Sequence, residues 1–313
     1  MNIYRLILLS MVLFLAGCEY ELPVKGLDPS PKIYLYSVPQ PGEPLEVYAA
    51  VAIPHQKGYN DFDPGKVHVE VTVNGKEVEL SVDEAYESEY PSMERYVSDV
   101  ELKAGDVVEV AAVAENADPV TSRTTVPEVM DTYAVTTQKT STDKGYPSSS
   151  TGDVRSCRSF VVDVPSSDKD GYYGLRVRCT EIDMEEPENA TSEYLDPLVW
   201  DTEYFISSRE YDMWVEYDEG YLQVYKVKSG NEGKLEIQVK YDYVDSHRRI
   251  FYTVEIFRLS PEFWRYCRAA FTDYARVEIM DLFMYPSKLY TDIDGGLGLL
   301  GAVNRVEVEI EGF

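Results

Sequence analysis

The sequence predicts a mainly β protein, in which an immunoglobulin-like or fibronectin-like β-sandwich is followed by a second β-rich domain with one amphipathic helix. Two observations carry this prediction. Residues 31–128 contain about seven short segments in which apolar and polar side chains alternate, as the strands of a small sandwich require. Residues 129–313 contain more such segments, placed around a single stretch of helical period.

Residues 1–17 are predicted to be a signal peptide. A basic start precedes the apolar run from Leu6 to Leu15, which is too short to span a bilayer. Leu15-Ala16-Gly17-Cys18 then resembles a bacterial lipobox, where the chain is cut before the cysteine and acyl chains are attached to it. We therefore expect a lipid anchor on Cys18, since several acyl chains together hold a protein firmly on a membrane. An ordinary secretory signal with a chance cysteine is the alternative.

Residues 18–30 (CEYELPVKGLDPS) are predicted to form a tether, because they contain prolines and no apolar period. Glu19 and Glu21, directly after Cys18, resemble the acidic export signals of surface lipoproteins in Bacteroidetes. The expected location is the outer membrane, facing the cell surface.

Within residues 31–128, the clearest element is a hairpin. Valines at alternate positions from Val67 to Val73 lead into Asn74-Gly75, a typical two-residue turn, and the alternation resumes at Val78. Further strands are predicted at 33–38, 45–53, 95–102 and 107–113, and the residues from Thr124 to Glu128 close the unit.

In the second domain, residues 129–313, the polar stretch from Thr136 to Asp153 is predicted to be an exposed loop. The segments Ser159–Val164 and Tyr172–Cys179 are predicted to pair as a hairpin. Cys157 and Cys179 would then face each other, and the sequence is compatible with a disulfide or with two free thiols. Cys267 is predicted to be a buried packing residue.

The helix is predicted to begin after Ser260, a suitable cap, with Pro261 at its first position. Its apolar side chains recur at three and four residues and are expected to pack on the sheet of the second domain. These residues are Phe263, Tyr266, Cys267, Ala270, Phe271 and Tyr274.

The segment GGLGLLG, residues 295–301, contains the spacing G-x-G-x-x-G of dinucleotide-binding loops. That loop needs a following helix, whereas Val306, Val308 and Ile310 alternate with polar residues and predict a strand. We therefore interpret the glycines as a tight turn between strands and predict no nucleotide.

The chain has 29 basic and 56 acidic residues and a formal net charge of −27. Such a charge repels nucleic-acid phosphates and anionic lipid, so no nucleic-acid partner is expected. The histidines at 55, 68 and 247 are isolated, and no hydrolase or phosphate-loop motif occurs. No catalytic residue, metal or cofactor is predicted. The many acidic residues leave a paired-carboxylate hydrolase open. Residues 60–63 and 292–294 could offer oxygen ligands to calcium, but neither segment matches an EF-hand loop, and acidic turns are commoner than calcium sites.

Several of these features together carry a family resemblance. The lipobox and acidic tether, VHVEVTVNGKEVEL, GDVVEV, TTVPE, SPEFWRYCRAA and LYTDIDGGLGLLGAV resemble the Bacteroidetes outer-membrane lipoproteins known as domain of unknown function 4249. That family typically has an asparagine before the glycines, where this chain has Asp292 or Asp294. The resemblance implies an outer-membrane lipoprotein of a kind that is often associated with a TonB-dependent transporter, and it implies no established chemistry.

Aromatic residues provide the binding hypothesis. Trp200 and Tyr204 lie in an irregular acidic segment and are the candidate ligand contacts, since rings with polar tips suit sugars, peptides and protein partners. The predicted function is therefore a non-enzymatic, lipid-anchored accessory protein that binds a ligand or a TonB-dependent transporter in nutrient uptake. The alternatives are a surface carboxylate-dependent hydrolase of glycan or peptide, and a structural adhesin.

Overall fold

The structure is a computed structural model. It describes residues 30–52, 63, 65–88, 93–129, 133–142, 155–195, 213–217, 220–240, 248–269 and 290–312. The described chain is mainly β, with strands arranged in four sheets and one α-helix.

The first two sheets enclose one hydrophobic core. The first sheet has the strand order β17-β1-β2-β6-β5 and the second has the order β4-β3-β7-β8. Their strands are β1 (Lys32–Ser37), β2 (Leu45–Ala52), β3 (Val67–Val73), β4 (Lys76–Val78), β5 (Ser81–Val82), β6 (Glu94–Ser98), β7 (Val107–Ala114), β8 (Ala117–Thr125) and β17 (Leu297–Leu300). Alternate residues of these strands point inward, as in the buried positions Val67, Val69 and Val71 of β3.

The predicted hairpin of β3 and β4 is confirmed, with Asn74 and Gly75 both at positive φ as this turn requires. Apart from β17, the strand order agrees with that of an immunoglobulin-type sandwich carrying one extra strand, β4. The immunoglobulin-like or fibronectin-like identity of this unit stays a prediction, as do the predicted domain boundaries.

The third and fourth sheets enclose a second core. The third sheet has the order β15-β10-β9, and the fourth has the order β13-β14-β11-β16-β18 with β12 also paired to β11. Their strands are β9 (Ala134–Thr142), β10 (Arg155–Val164), β11 (Gly171–Asp183), β12 (Thr191–Leu195), β13 (Met213–Tyr217), β14 (Gly220–Val227), β15 (Gly233–Lys240), β16 (Arg248–Leu259) and β18 (Val303–Glu311). A single turn of 3-10 helix, Pro187–Asn189, precedes β12.

Two predictions about this half are wrong. Residues 136–142 of the predicted loop belong to β9, which is polar over these positions and pairs with β10 at the edge of the third sheet. The predicted hairpin of 159–164 with 172–179 does not form. The chain crosses between sheets at 165–170, so that β10 pairs with β9 and β15, whereas β11 pairs with β12, β14 and β16.

The helix, α1, is described over residues 261–269 and begins as predicted. The backbone N–H of Phe263 donates to the Ser260 hydroxyl at 3.3 Å, which is the expected cap. Phe263, Trp264 and Cys267 are buried against Leu222 and Phe257 of the fourth sheet. Both the packing of the helix on this sheet and the burial of Cys267 are thus confirmed.

The predicted glycine turn is only partly correct. Gly295 turns the chain, but residues 297–300 form β17, which pairs in parallel with β1 of the first sheet. The chain then returns to the fourth sheet as β18. We call residues 292–304 the glycine clasp, since they join the two halves of the molecule.

Hydrogen bonds fix the clasp at both ends. Asp292 accepts from the N–H of Leu300 and from the hydroxyl of Ser122, each at 3.0 Å. Ser260 binds Ala302 twice, through its own N–H at 2.8 Å and by accepting the Ala302 N–H on its hydroxyl at 3.0 Å. The cap of the helix is therefore also an anchor of the clasp.

Further bonds tie the end of the clasp to the first half of the chain. The N–H groups of Gly301 and Val303 donate to the carbonyls of Ser37 and Pro39 at 3.0 and 3.1 Å. The side-chain amide of Asn304 donates to the carbonyl of Pro127 at 2.8 Å, within the junction between the two halves.

Gly298 is required by close contact. It lies opposite Leu35 in the parallel pair and has a φ of +109°. A Cβ there would overlap the carbonyl oxygen of Leu35 and lie 2.8 Å from its carbonyl carbon. We expect Gly298→Ala to lower the free energy of unfolding by about 3–5 kcal/mol, because it combines positive-φ strain with overlap in a packed sheet.

The matched control is Gly105→Ala, since Gly105 has a φ of +85° but open space around its Cβ position. Its expected cost is about 1 kcal/mol from backbone strain alone. Urea denaturation followed by circular dichroism measures both, and equal losses in the two variants would contradict the close contact at Gly298.

A second prediction concerns pH. Burial raises the pKa of Asp292, so the folded protein holds this proton more tightly than the unfolded chain does. The stabilisation that comes from this proton is fully present below the pKa that Asp292 has in the unfolded chain. It is lost as pH rises through the pKa that Asp292 has in the folded protein. Asp292→Asn keeps an oxygen for the Leu300 N–H and carries no charge. We therefore expect its stability relative to the native chain to increase between about pH 4 and pH 7.

The control for this prediction is Asp294→Asn, at the exposed neighbouring carboxylate. Thermal unfolding of the three proteins across this range makes the comparison. If the stability of Asp292→Asn relative to the native chain stays constant or falls as pH rises, burial of the Asp292 charge carries no cost.

Candidate functional site

The predicted site residues fall in different parts of the chain. Cys18, Trp200 and Tyr204 lie outside the described residues, so their predicted roles stay predictions. Cys157 and Cys179 are buried, lie on strands of different sheets and are not joined by a disulfide. Cys179 packs in the second core. Cys157 lies on β10, next to Arg158, and points to the face opposite that of Phe160, which is in the second core. The predicted facing of these two cysteines across a hairpin is therefore wrong.

Burial raises the pKa of the Cys179 thiol to about 11 and also raises the pKa of Cys267. Both side chains stay protonated at neutral pH and lack the thiolate that nucleophilic chemistry needs. They are packing residues of the described cores.

A row of tyrosines lies on the outer surface of the first sheet. Tyr36 of β1 and Tyr48 of β2 are directly opposite each other, with ring centroids 6.4 Å apart. Tyr86 stands edge-on to Tyr48 at 5.5 Å, and Tyr266 of α1 lies 6.2 Å from Tyr36. All four rings are half-buried, so each keeps part of its surface in solvent.

Charged groups flank this row. Arg95 of β6 lies beside Tyr48 in the register, and its guanidinium binds Glu46 and, at 3.1 Å, Asp83. The hydroxyl of Tyr48 donates to the carboxylate of Glu46 at 2.7 Å. We call the four tyrosines together with these three charged residues the tyrosine face.

The hydrogen bonds hold the tyrosine face in one geometry. Burial, and then the bond to Glu46, raise the pKa of Tyr48 to about 12, so its hydroxyl remains a donor at neutral pH. The Nε–H of Arg95 is buried and makes no hydrogen bond within the described residues. Each carboxylate can accept further bonds, so the face can bind a ligand that both donates and accepts.

A second polar cluster is buried on the face of the fourth sheet that points away from the second core. Arg176 of β11 and Glu255 of β16 are almost fully enclosed, and Nε donates to Oε2 at 2.6 Å. The ring of Tyr194 lies 4.0 Å from the guanidinium carbon, and its hydroxyl donates to Glu255 at 3.3 Å. Arg178 and Arg305 approach the same carboxylate only to 4.0 and 3.9 Å. The cluster is enclosed and internally paired, which makes it a structural element.

We expect Glu255→Gln to lower the free energy of unfolding by about 3–5 kcal/mol, because Arg176 would face a neutral amide inside the protein. Removing both charges with Arg176→Met and Glu255→Leu should recover much of this loss. The control is Glu311→Gln, which disrupts the exposed pair with Arg249 at 2.8 Å and should cost less than about 1 kcal/mol. A double variant no more stable than Glu255→Gln would contradict this account.

The described residues contain no group of three or more His, Cys, Asp or Glu side chains placed to share a metal ion. No helix within the same ranges has the length and hydropathy needed to cross a bilayer.

Comparison with known proteins identifies the family. A family model described as domain of unknown function (DUF4249) matches residues 19–309. The chain belongs to this family. The resemblance predicted from the sequence is confirmed on this point, while the Bacteroidetes origin and the lipoprotein character stay predictions. No curated protein matches the chain.

The tyrosine face is not among the sites predicted from the sequence, although part of its signal is local. In KIYLYS, Tyr34 and Tyr36 alternate with the buried Ile33 and Leu35, so they had to lie on the opposite surface of the strand. Nothing local placed Tyr266 beside Tyr36, because that contact depends on the packing of α1.

Proposed function

We propose that this protein is a non-enzymatic accessory lipoprotein of the outer membrane, which binds a ligand or a TonB-dependent transporter in nutrient uptake. The observation that carries the binding function is the tyrosine face, where half-buried rings lie beside fixed polar groups. Aromatic residues that combine an apolar body with a polar tip are enriched where proteins bind partners.

The sequence supports the proposed location. The lipobox ending at Cys18 would place several acyl chains on the mature N-terminus, and multiple chains give stable attachment. Residues 18–30 would then separate the first sheet from the membrane surface. The acidic residues Glu19 and Glu21 favour the outward-facing side.

The test is a capture of the full-length protein from outer membranes that have been solubilised in mild detergent. A C-terminal tag retrieves the protein, and mass spectrometry identifies what co-purifies. We expect a TonB-dependent barrel in near-equal amount. A Cys18→Ser variant should lose both the membrane attachment and the barrel, while keeping its fold.

If the capture recovers the lipoprotein from outer membranes without a barrel, the proposed stable transporter complex is contradicted. A Cys18→Ser variant that stays in the outer membrane would contradict the lipid anchor.

A further inference from the structure

We infer that the tyrosine face is a binding site for a neutral glycan. This inference rests on the proposed binding function and specifies its ligand class. Three properties of the face indicate this ligand class: its rings, its polar groups and its position in the sheet.

The rings form a continuous row of apolar contact surfaces. Consecutive centroids from Tyr86 through Tyr48 and Tyr36 to Tyr266 are 5.5, 6.4 and 6.2 Å apart. Neighbouring rings are tilted by 56–68°, so the row forms a series of corners and not a flat platform. The C–H faces of a sugar ring can pack into such corners, while its hydroxyls point along the row.

The polar groups suit hydroxyls, which both donate and accept. Glu46 and Asp83 accept, and Arg95 donates through a guanidinium that these two carboxylates hold in place. Arg95 and Glu46 expose only about a third of their side chains, so they are restrained before a ligand arrives. Restrained groups lose little entropy on binding.

Charge and topology disfavour other ligand classes. The two carboxylates outweigh one guanidinium, and the chain has a net charge of −27, which opposes anionic polymers. Glu46 and Asp83 are both ion-paired with Arg95, so neither offers a cationic ligand an unpaired carboxylate. A peptide that adds as a strand needs an open sheet edge, whereas β1 and β2 are each paired on both sides. A neutral ligand rich in hydroxyls is the class that remains.

The experiment measures binding of neutral glucose, mannose and xylose oligosaccharides to the full-length lipoprotein by isothermal titration calorimetry. A zwitterionic detergent is used, because glucoside and maltoside detergents would compete for the site. Sulfated heparin oligosaccharides and a lysine-rich peptide serve as anionic and cationic comparison probes. We expect at least one neutral oligosaccharide to bind and both comparison probes to bind more weakly or not at all.

The variants locate the site. Tyr36→Ala and Tyr48→Ala should each weaken glycan binding about tenfold or more. Tyr48→Phe keeps the ring and loses only the bond to Glu46, so it should weaken binding less than Tyr48→Ala. Tyr172→Ala, a half-buried ring that packs on Trp264, is the matched control and should leave the affinity unchanged. Thermal unfolding checks that every variant is folded.

Each contrary result has a distinct meaning. If no neutral oligosaccharide binds, or if binding is unaffected in folded Tyr36→Ala and Tyr48→Ala, the inference is wrong. If the capture from outer membranes still recovers a TonB-dependent barrel, the proposed accessory function stands without a glycan ligand. Tighter binding of the lysine-rich peptide would overturn the choice of ligand class. Cleavage of a bound oligosaccharide would overturn the non-enzymatic proposal itself.

Discussion

The parallel pairing of β17 with β1 is the interaction on which the rest of the structure depends. Successive residues of a strand point to opposite faces, so Leu300 completes the core of the first two sheets while Leu299 packs with α1 and the fourth sheet. One short strand therefore contributes to two separate apolar clusters. Gly298 makes this possible, since its bare backbone passes where any side chain would overlap Leu35.

The same strand sets the geometry of the tyrosine face. Leu299 lies beside Tyr36 in the register, and Tyr36 in turn lies opposite Tyr48. Ser260 holds the clasp at Ala302 and caps α1, which carries Tyr266 to the end of the row. The candidate binding surface is thus built from three distant parts of the chain. Its shape depends on contacts that lie beneath it.

The folded protein encloses charged groups, and close contacts must offset the hydration that these groups lose. The enclosed pair of Arg176 and Glu255 carries a desolvation cost that only close geometry can offset. In the clasp, the partly buried carboxylate of Asp292 accepts hydrogen bonds from Ser122 and Leu300. Polar groups in such positions specify one arrangement of the sheets more strictly than apolar packing alone. Such polar contacts would also help to hold the tyrosine face in the fixed geometry that the proposed ligand binding needs.

Local patterns predicted the elements that depend on local chemistry. The hairpin at Asn74-Gly75 follows from its turn residues, and the start of α1 follows from Ser260 and Pro261. The pairing of 159–164 with 172–179 was predicted incorrectly because a short loop can join strands within one sheet or across two. Nothing in those residues distinguishes these two cases. The polar strand β9 was missed because an edge strand needs no apolar face.

The sequence by itself determined that the chain is mainly β, that a capped helix interrupts the strands, and that a strand and not a helix follows the glycines. These features follow from side-chain period, turn chemistry and charge, all of which act between neighbours in the chain. Only the tertiary structure decided that the glycine segment is a strand of the first sheet and that four tyrosines form one face. Both depend on contacts between residues far apart in sequence, whose strength comes from burial and close backbone approach once the sheets have assembled.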